Sequence, residues 1–265
     1  MISVEKQLLH LISKDKNVPL KELLKIYDYR GYSTNSIRNT LSKLKKENFV
    51  ISNTRGTYTV TELGLRLVEG INEKRIFYDK KFDGNWCVVL VQVPEKERKK
   101  RDAFRTAAQD LGFGILQNGV YISPWDHRKK IEKITNMLNL KGHVTLIEGA
   151  ILQEPIIPSK AYAIWHLDKI EAVYQEKADW LRKNYHQKLL AAENSSDSIL
   201  KLFDFYLEIG EVISNLFILD PILPSELLPV NWLGSETLNQ LFQAYDGISE
   251  QIPKDSPYSK FVDYR

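Results

Sequence analysis

Side chains that suit contact with nucleic acid are concentrated in one stretch of the sequence. They combine amides, hydroxyls and cationic groups, and they are Ser33, Thr34, Asn35, Ser36, Arg38, Asn39, Ser42, Lys43, Lys46 and Arg55. Amides and guanidinium groups can bond two atoms of one base edge, whereas lysines, hydroxyls and free backbone amides suit phosphate oxygens. The residue types in this stretch therefore predict contact with DNA rather than catalysis.

An amphipathic helix is predicted to position most of these groups. Ile37, Leu41 and Leu44 recur at i, i+4 and i+7, so they line one helical face. Ser33 is a suitable N-cap, because its hydroxyl can accept a hydrogen bond from a free amide of the first turn. The opposite face, at about 100° per residue, carries the polar and basic side chains and no acidic one.

A β-hairpin is predicted directly after this helix. The β-prone runs 49–53 and 58–60 flank a tip at 54–57, where Arg55 and Gly56 are typical of a turn. In a winged helix-turn-helix, the helix enters the major groove and the hairpin tip contacts the backbone or the minor groove. The alternative interpretation is an ordinary surface helix and hairpin in a helical domain.

The order of the predicted elements divides the chain into three domains and a linker. The divisions are a winged helix-turn-helix at 1–74, a linker at 75–85, a ferredoxin-like domain at 86–154 and a helical domain at 155–265. Helices are predicted at 2–13, 20–27, 62–74, 95–111, 128–138, 162–185, 198–219 and 235–251. The central order β-α-β-β-α-β is typical of a ferredoxin-like fold, and the fold class is therefore predicted as α+β.

The charge distribution predicts that one end of the chain faces nucleic acid. The 265 residues carry a formal net charge of +3, yet residues 1–60 hold eleven basic and five acidic residues, whereas residues 161–265 hold nine and sixteen. A basic segment attracts a polyanion and an acidic one repels it. The apolar runs are too short for a membrane span and the first residues do not form a signal peptide, so a cytoplasmic protein is expected.

A metal-dependent nuclease built on the central domain is the alternative from another functional class. Such a nuclease would hold Mg²⁺ with an acidic residue at the end of the first strand, where this chain has Gln92. Asp83 precedes that strand and is interpreted as a turn residue, and the five histidines lack the spacing of metal ligands. The single Cys87 excludes a Cys-rich metal site. No catalytic residue, metal or cofactor is therefore predicted, and the chain is not expected to be an enzyme.

A Pro-rich block in the C-terminal half carries a family resemblance. The segment Asp220-Pro-Ile-Leu-Pro-Ser-Glu-Leu-Leu-Pro-Val-Asn-Trp-Leu-Gly234 resembles the block D-P-x-L-P-x-E-L-L-P-x-x-W-x-G of the PaaX family of bacterial transcriptional repressors, named for the regulator of phenylacetate catabolism. Further similar segments are 36–44, 82–86, 111–114, 120–124 and 163–167. The resemblance therefore covers nearly the whole chain.

The resemblance implies both an architecture and a function. The architecture is a winged helix-turn-helix, a central ferredoxin-like domain similar to CRISPR-associated ribonucleases, and a helical C-terminal domain for effector binding and dimerisation. The implied function is that of a homodimeric repressor that binds operator DNA and is released by an acyl-CoA, typically an aryl-acetyl thioester. The segment 212–217 lacks the arginine pair expected before Asp220. The effector-binding residues are therefore unassigned, and a repressor that responds to a different metabolite is an alternative.

Two further features of the sequence have more than one interpretation. The basic run 96–101 is either a solvated helix face or a set of phosphate contacts, to DNA beside the operator or to the CoA moiety of an effector. The aromatic residues of the C-terminal half recur at helical intervals and are interpreted as core rather than as a ligand cage. These residues are Trp165, Tyr174, Trp180, Phe203, Tyr206, Phe217 and Trp232.

Overall fold

A computed structural model of the chain describes residues 3–54, 56–71 and 73–264. The described residues form helices and two small antiparallel sheets, which confirms the α+β class. The chain divides into two compact units. The first comprises Met1–Glu73, Gln175–Asn215 and Ser235–Arg265, and the second comprises Lys74–Tyr174 and Leu216–Gly234. Within the described ranges, every helix is too short or too polar to cross a lipid bilayer.

The N-terminal segment of the first unit contains four helices and a three-stranded sheet. The helices are α1 (Val4–Ser13), α2 (Leu20–Tyr29), α3 (Thr34–Lys46) and α4 (Glu62–Ile71). The strands are β1 (Val18–Pro19), β2 (Val50–Ile51) and β3 (Thr57–Val60), in the order β1-β3-β2. Apolar residues at helical spacing are buried on each of the first three helices, as Leu8, Leu23 and Leu41 illustrate. Burial of these stripes orients the helices, because each helix can place only one face against the core.

The helix predicted at 62–74 is shorter than expected. The structure ends α4 at Ile71 and places a 3₁₀ turn over Glu73–Phe77. This turn spans the end of the predicted helix and the start of the predicted linker at 75–85, and it buries Lys74 and Phe77. The Phe77 ring stacks on Trp125 at 5.0 Å between centroids. Residues 74–77 therefore belong to the second unit, in which the side chains of Lys74 and Phe77 are buried.

The second unit contains a four-stranded antiparallel sheet with helices packed on it. The strands are β4 (Trp86–Val91), β5 (Gly114–Gln117), β6 (Val120–Ser123) and β7 (Val144–Gly149), in the order β5-β6-β4-β7. The helices between them are α5 (Arg98–Asp110) and α6 (Arg128–Met137). Side chains of both helices and the sheet share one core, which includes Val89, Phe104 and Ile131. The predicted β-α-β-β-α-β order of elements is thus observed, with β4 central because its residues are mostly apolar.

The remainder of the chain is helical, as predicted. The helices are α7 (Pro158–Ile164), α8 (Leu167–Glu193), α9 (Ser198–Leu219) and α10 (Leu233–Gln251). The predicted bounds of α9 are confirmed, whereas the single helix predicted at 162–185 is wrong. The backbone breaks at His166, whose φ of 52° lies in the left-handed region that a continuous α-helix does not allow.

The aromatic residues of the C-terminal half pack as core. Phe203 stacks on Tyr258 at 4.9 Å between centroids, and Tyr174 meets Trp232 edge to face at 5.9 Å. All seven of the aromatic residues named above are buried except Trp180, which is half-buried. The C-terminal segment 252–264 takes part in this packing, because Tyr258 and Phe261 are buried although their sequence shows no periodicity.

A polar network is buried in the second unit around Lys74 and Asp220. The Lys74 Nζ donates to the carbonyl oxygens of Ile218 and Asp220, at 2.8 and 2.9 Å. The Asp220 carboxylate accepts from the Tyr174 hydroxyl at 2.6 Å and from the Ile222 amide at 2.6 Å. Burial lowers the pKa of Lys74 to about 8, although the nearby charge of Asp220 raises it in part. Hydrogen bonding in the network thus offsets the cost of desolvating a lysine.

The lowered pKa of Lys74 predicts a stability that rises at alkaline pH. Above about pH 8 the folded protein loses the Lys74 proton, whereas the unfolded chain keeps it to a pH above 10. Because the unfolded state then binds more protons, the free energy of unfolding should gain up to about 1.4 kcal/mol per pH unit from this group. Lys74→Met should remove this gain. Urea unfolding of both proteins at pH 7.5 and 9.5, with the exposed Lys99→Met as the control, measures the difference.

Candidate nucleic-acid interface

The turn between α2 and α3 sets the start of the predicted DNA-facing helix. Gly31 has a φ of 81°, which glycine adopts without strain, and the Tyr32 amide donates to the Tyr27 carbonyl at 2.9 Å. The Ser33 hydroxyl then accepts from the Ser36 amide at 3.2 Å, which confirms Ser33 as the N-cap. The sequence therefore fixes where α3 begins through one glycine and one capping hydroxyl.

The predicted side chains of α3 all lie on its solvent-exposed surface. Ile37, Leu41 and Leu44 are fully buried and hold the helix against the N-terminal core. The nine predicted contact residues from Ser33 to Lys46 are exposed, namely Ser33, Thr34, Asn35, Ser36, Arg38, Asn39, Ser42, Lys43 and Lys46. Burial of the apolar stripe thus presents one continuous polar surface to solvent.

Only part of this polar surface is free to bind a ligand. The Ser42 hydroxyl donates to the Arg38 carbonyl at 2.8 Å, within the helix. The Lys43 Nζ pairs with Glu5 at 2.8 Å and lies 4.0 Å from Glu47, and the hydrogen bond and charge of Glu5 raise the pKa of Lys43. Glu5 lies on α1, so a search for acidic residues along α3 alone does not find it. In the part of the chain that the structure describes, Arg38 and Lys46 form no ion pair.

The predicted hairpin is present as β2 and β3. Val50 pairs with Val60 and Ile51 with Thr59 in an antiparallel register. At the tip, the Thr57 amide donates to the Thr54 carbonyl at 3.2 Å. The predicted tip contact Arg55 lies outside the described residues, so its role stays a prediction.

A short strand that the sequence analysis missed attaches the hairpin to the helices. Val18 and Pro19 of β1 pair with Tyr58 and Thr57 of β3. The Leu20 amide, at the start of α2, donates to the Gly56 carbonyl at 2.8 Å. Two residues are too few to show a strand periodicity, and Val18 before a proline is the only local signal for extended backbone.

A partly buried ionic cluster links α2 to α9 within the first unit, and we call it the Arg30 clamp. Arg30 follows the last residue of α2, and its guanidinium contacts Asp204 at 3.0 Å and Glu211 at 2.6 Å. It also donates to the Gln7 amide oxygen at 3.2 Å. Burial raises the pKa of both carboxyl groups even though the positive charge of Arg30 lowers it. The clamp fixes the end of α2 three residues before Ser33, the N-cap of α3.

The basic run of α5 is neutralised in large part by acidic residues of its own segment. Arg98 lies 3.9 Å from Glu95 and 3.6 Å from Asp102, while Arg101 pairs with Glu95 at 3.0 Å. The Nζ of Lys100 pairs with Glu97 at 2.7 Å. These contacts favour the solvated-face interpretation for most of the residues from 96 to 101.

The residues weighed for nuclease chemistry do not form a metal site. Gln92 follows β4, and its backbone N–H donates to the backbone carbonyl of His143 at 2.9 Å. The Asp83 carboxylate accepts from the Asn85 amide at 2.8 Å, which is the contact of a turn residue. Across the described ranges, no three His, Cys, Asp or Glu side chains are grouped so that they could hold a metal ion.

Comparison with known proteins identifies related chains for most of this sequence. The family model of the PaaX protein central Cas2-like domain matches residues 79–160, and that of the PaaX-like protein C-terminal domain matches residues 165–253. The transcriptional repressor PaaX of Escherichia coli (strain K12) is 24% identical over 230 residues, which span 84% of this chain and 71% of the relative.

A solved structure also resembles the chain. It is the uncharacterized protein Rv0674 from Mycobacterium tuberculosis, with a TM-score of 0.55 and 19% sequence identity. The match covers 89% of this chain and 88% of that one, and at this identity it shows a shared fold alone. Because both domain models of one family match, over residues 79–160 and 165–253, the chain belongs to the PaaX family of transcriptional regulators.

Proposed function

We propose that this protein is a transcriptional repressor that binds operator DNA through α3 and the β2–β3 hairpin. Family membership makes the chain a regulator rather than an enzyme. One observation carries the choice of site: α3 buries its apolar stripe and exposes amides, hydroxyls and the cations Arg38 and Lys46, which form no ion pair with any described residue. Helices with such a surface enter the major groove in helix-turn-helix proteins.

We interpret the N-terminal segment as a winged helix-turn-helix. The two helices α2 and α3, separated by the turn at Gly31, would form the helix-turn-helix, and the β2–β3 hairpin would be the wing. In the same way, the sheet order β5-β6-β4-β7, with α5 and α6 as the connecting helices, supports a ferredoxin-like central domain. The proposed domains are 1–74 for DNA binding, 86–154 for the ferredoxin-like fold and 155–265 for effector binding and dimerisation. The proposed linker is 75–85, although its first residues, 75–77, belong to the second compact unit.

Side chains of α3 divide between base and phosphate contacts in this proposal. Asn35 and Asn39 have the amide geometry for adenine, and Arg38 has that for guanine or phosphate. Lys46 and the first-turn residues suit phosphates, because the free amides at a helix N-terminus also attract anions. Lys43 is paired with Glu5, and this ion pair must break before Lys43 can bind a phosphate. Substitution of Lys43 should therefore weaken DNA binding less than substitution of Arg38.

The proposed repressor acts as a cytoplasmic homodimer released by a small molecule. A two-fold dimer presents two copies of α3 to a near-palindromic operator, with half-sites about one or more helical turns apart. The proposed effector is an acyl-CoA of the aryl-acetyl type, on the strength of the family resemblance. Thermal shift assays with aryl-acetyl-CoA thioesters test it, since a ligand that binds the folded state raises its apparent stability. A response to another metabolite and to none of these thioesters would favour the alternative effector.

Arg38→Ala is expected to weaken operator binding. The operator can be isolated by selection from random-sequence DNA, so that no site has to be assumed. A lost bidentate base contact costs about 1–3 kcal/mol, or about 5- to 150-fold in the dissociation constant. Arg182→Ala is the matched control, because that arginine is exposed on α8 and paired with Asp179. Titrations at several salt concentrations should show the steep dependence of phosphate contacts, and equal effects of both variants would argue against the assigned helix.

A further inference from the structure

Acidic residues balance only part of the positive charge on the two helices of the central sheet. The cations Arg98, Lys100 and Arg101 of the α5 segment are paired with acidic residues, as described above. Four other cations of α5 and α6 are exposed and form no ion pair within the described ranges. They are Lys99, Arg105, Lys129 and Lys133, and we call this set the α5–α6 basic face.

The packing of α6 holds two of these lysines side by side in solvent. Ile131 is buried in the core, and Ile134 is partly buried against it, so that side of α6 faces the sheet. Lys129 and Lys133 lie at i and i+4 on the opposite side, about 6 Å apart along the axis. Like charges at this spacing repel each other and destabilise a helix. Glu132 is exposed between them but forms no ion pair with either lysine within the described residues, so both ammonium groups remain available to a bound anion.

The helices α5 and α6 pack against each other, and each presents two of these cations to solvent, so the basic face extends over both helices. This surface is built from side chains distributed along two helices, which is the arrangement that suits an extended polyanion. Lysine and arginine side chains of this kind neutralise backbone phosphates without reading the sequence. A chain that reads an operator with α3 already has such a polyanion as its partner.

We propose that the α5–α6 basic face is a second, sequence-independent contact for DNA phosphates. The inference rests on the proposed function, because it assumes that DNA is the partner. In this proposal, the central domain contributes to the affinity for DNA but not to the recognition of bases. DNA that extends beyond the operator should therefore bind more tightly than a fragment that contains the operator alone.

The test is the salt dependence of DNA binding by Lys129→Gln/Lys133→Gln. Each lost phosphate contact reduces the magnitude of the slope of log K against log salt by about 0.9, so the slope of the double variant should be smaller by up to about 1.8. The slopes are measured between roughly 50 and 200 mM salt. Affinity should fall by the same factor for operator and unrelated duplexes of equal length. The control Arg98→Gln/Arg182→Gln removes the same net charge from residues that are already ion-paired, and its slope should match that of the wild-type protein.

The outcomes separate this inference from the proposed function. An unchanged slope in Lys129→Gln/Lys133→Gln, with operator binding still weakened by Arg38→Ala, would overturn the basic face and leave the repressor proposal intact. If the salt slope decreases equally in the double variant and in its control, net charge alone explains the effect. That result would also overturn the basic face. A wild-type protein that binds no DNA would overturn both. Circular dichroism of each variant checks that α5 and α6 remain folded.

Discussion

Arg30→Met is expected to lower the free energy of unfolding by about 3–5 kcal/mol. The change removes the only cation that contacts Asp204 and Glu211 in the described contacts of the Arg30 clamp. The side chains of the three residues are between 13% and 25% exposed, so water cannot fully replace the lost partner. Two carboxylates would then be left close together with little solvation, which is more costly than the loss of a surface ion pair.

The pH dependence of the Arg30→Met defect should identify its cause. Burial already raises the pKa of Asp204 and Glu211 above 3.8 and 4.5, and removal of Arg30 should raise it further. The folded variant then binds more protons than the unfolded chain above about pH 4, so its stability should fall as the pH rises. Urea unfolding should therefore show a larger deficit relative to the wild-type protein at pH 7 than at pH 5. A deficit that is the same at both values would mean that lost packing, not charge, causes it.

A compensated variant tests whether the clamp is needed as an ion cluster. Arg30→Met/Asp204→Leu/Glu211→Met replaces all three charged groups by apolar side chains of similar volume. Such replacements are often neutral or stabilising, so the triple variant should be more stable than Arg30→Met alone. If the triple variant is folded but binds the operator more weakly, the clamp contributes to the placement of α3 and not only to stability.

Local signals in the sequence predict α3 and α9 well and the Arg30 clamp not at all. The N-cap Ser33 and the stripe at Ile37, Leu41 and Leu44 are local, and they define α3 without knowledge of the fold. The partners of Arg30 lie 174 and 181 residues away along the chain, and no spacing rule connects them. For the same reason, sequence spacing does not predict the ion pair of Lys43 with Glu5, which lies on a neighbouring helix.

Backbone conformation explains the helical prediction that failed. The apolar pattern continues through His166, so periodicity predicts one helix where the structure has α7 and α8. Residues other than glycine rarely adopt a positive φ, and although histidine does so more often than most residues, its presence alone does not predict the break at His166. A tertiary contact accompanies the break: the indole nitrogen of the preceding Trp165 donates to the Gly112 carbonyl at 2.9 Å, and these two residues are far apart in sequence.

Asp220→Leu is also expected to lower the free energy of unfolding by about 3–5 kcal/mol. The carboxylate is buried, and leucine would leave the Tyr174 hydroxyl and the Ile222 amide without their acceptor. Ile222 has a φ of 53°, an unfavourable conformation for a β-branched residue that the amide contact helps to hold. Asp220→Asn should cost less, because the amide oxygen can still accept from one of the two donors.

A double-mutant cycle with Tyr174→Phe isolates the carboxylate–hydroxyl contact. If the two groups stabilise each other, Asp220→Leu/Tyr174→Phe should cost less than the sum of the single variants by at least about 1 kcal/mol. Loss of the Asp220 charge should also lower the pKa of Lys74 further, since that charge raises it now. The alkaline gain in stability should therefore begin at a lower pH in Asp220→Leu than in the wild-type protein. Additive losses together with an unshifted pH profile would contradict the network, because both results require that Lys74, Asp220 and Tyr174 act as one unit.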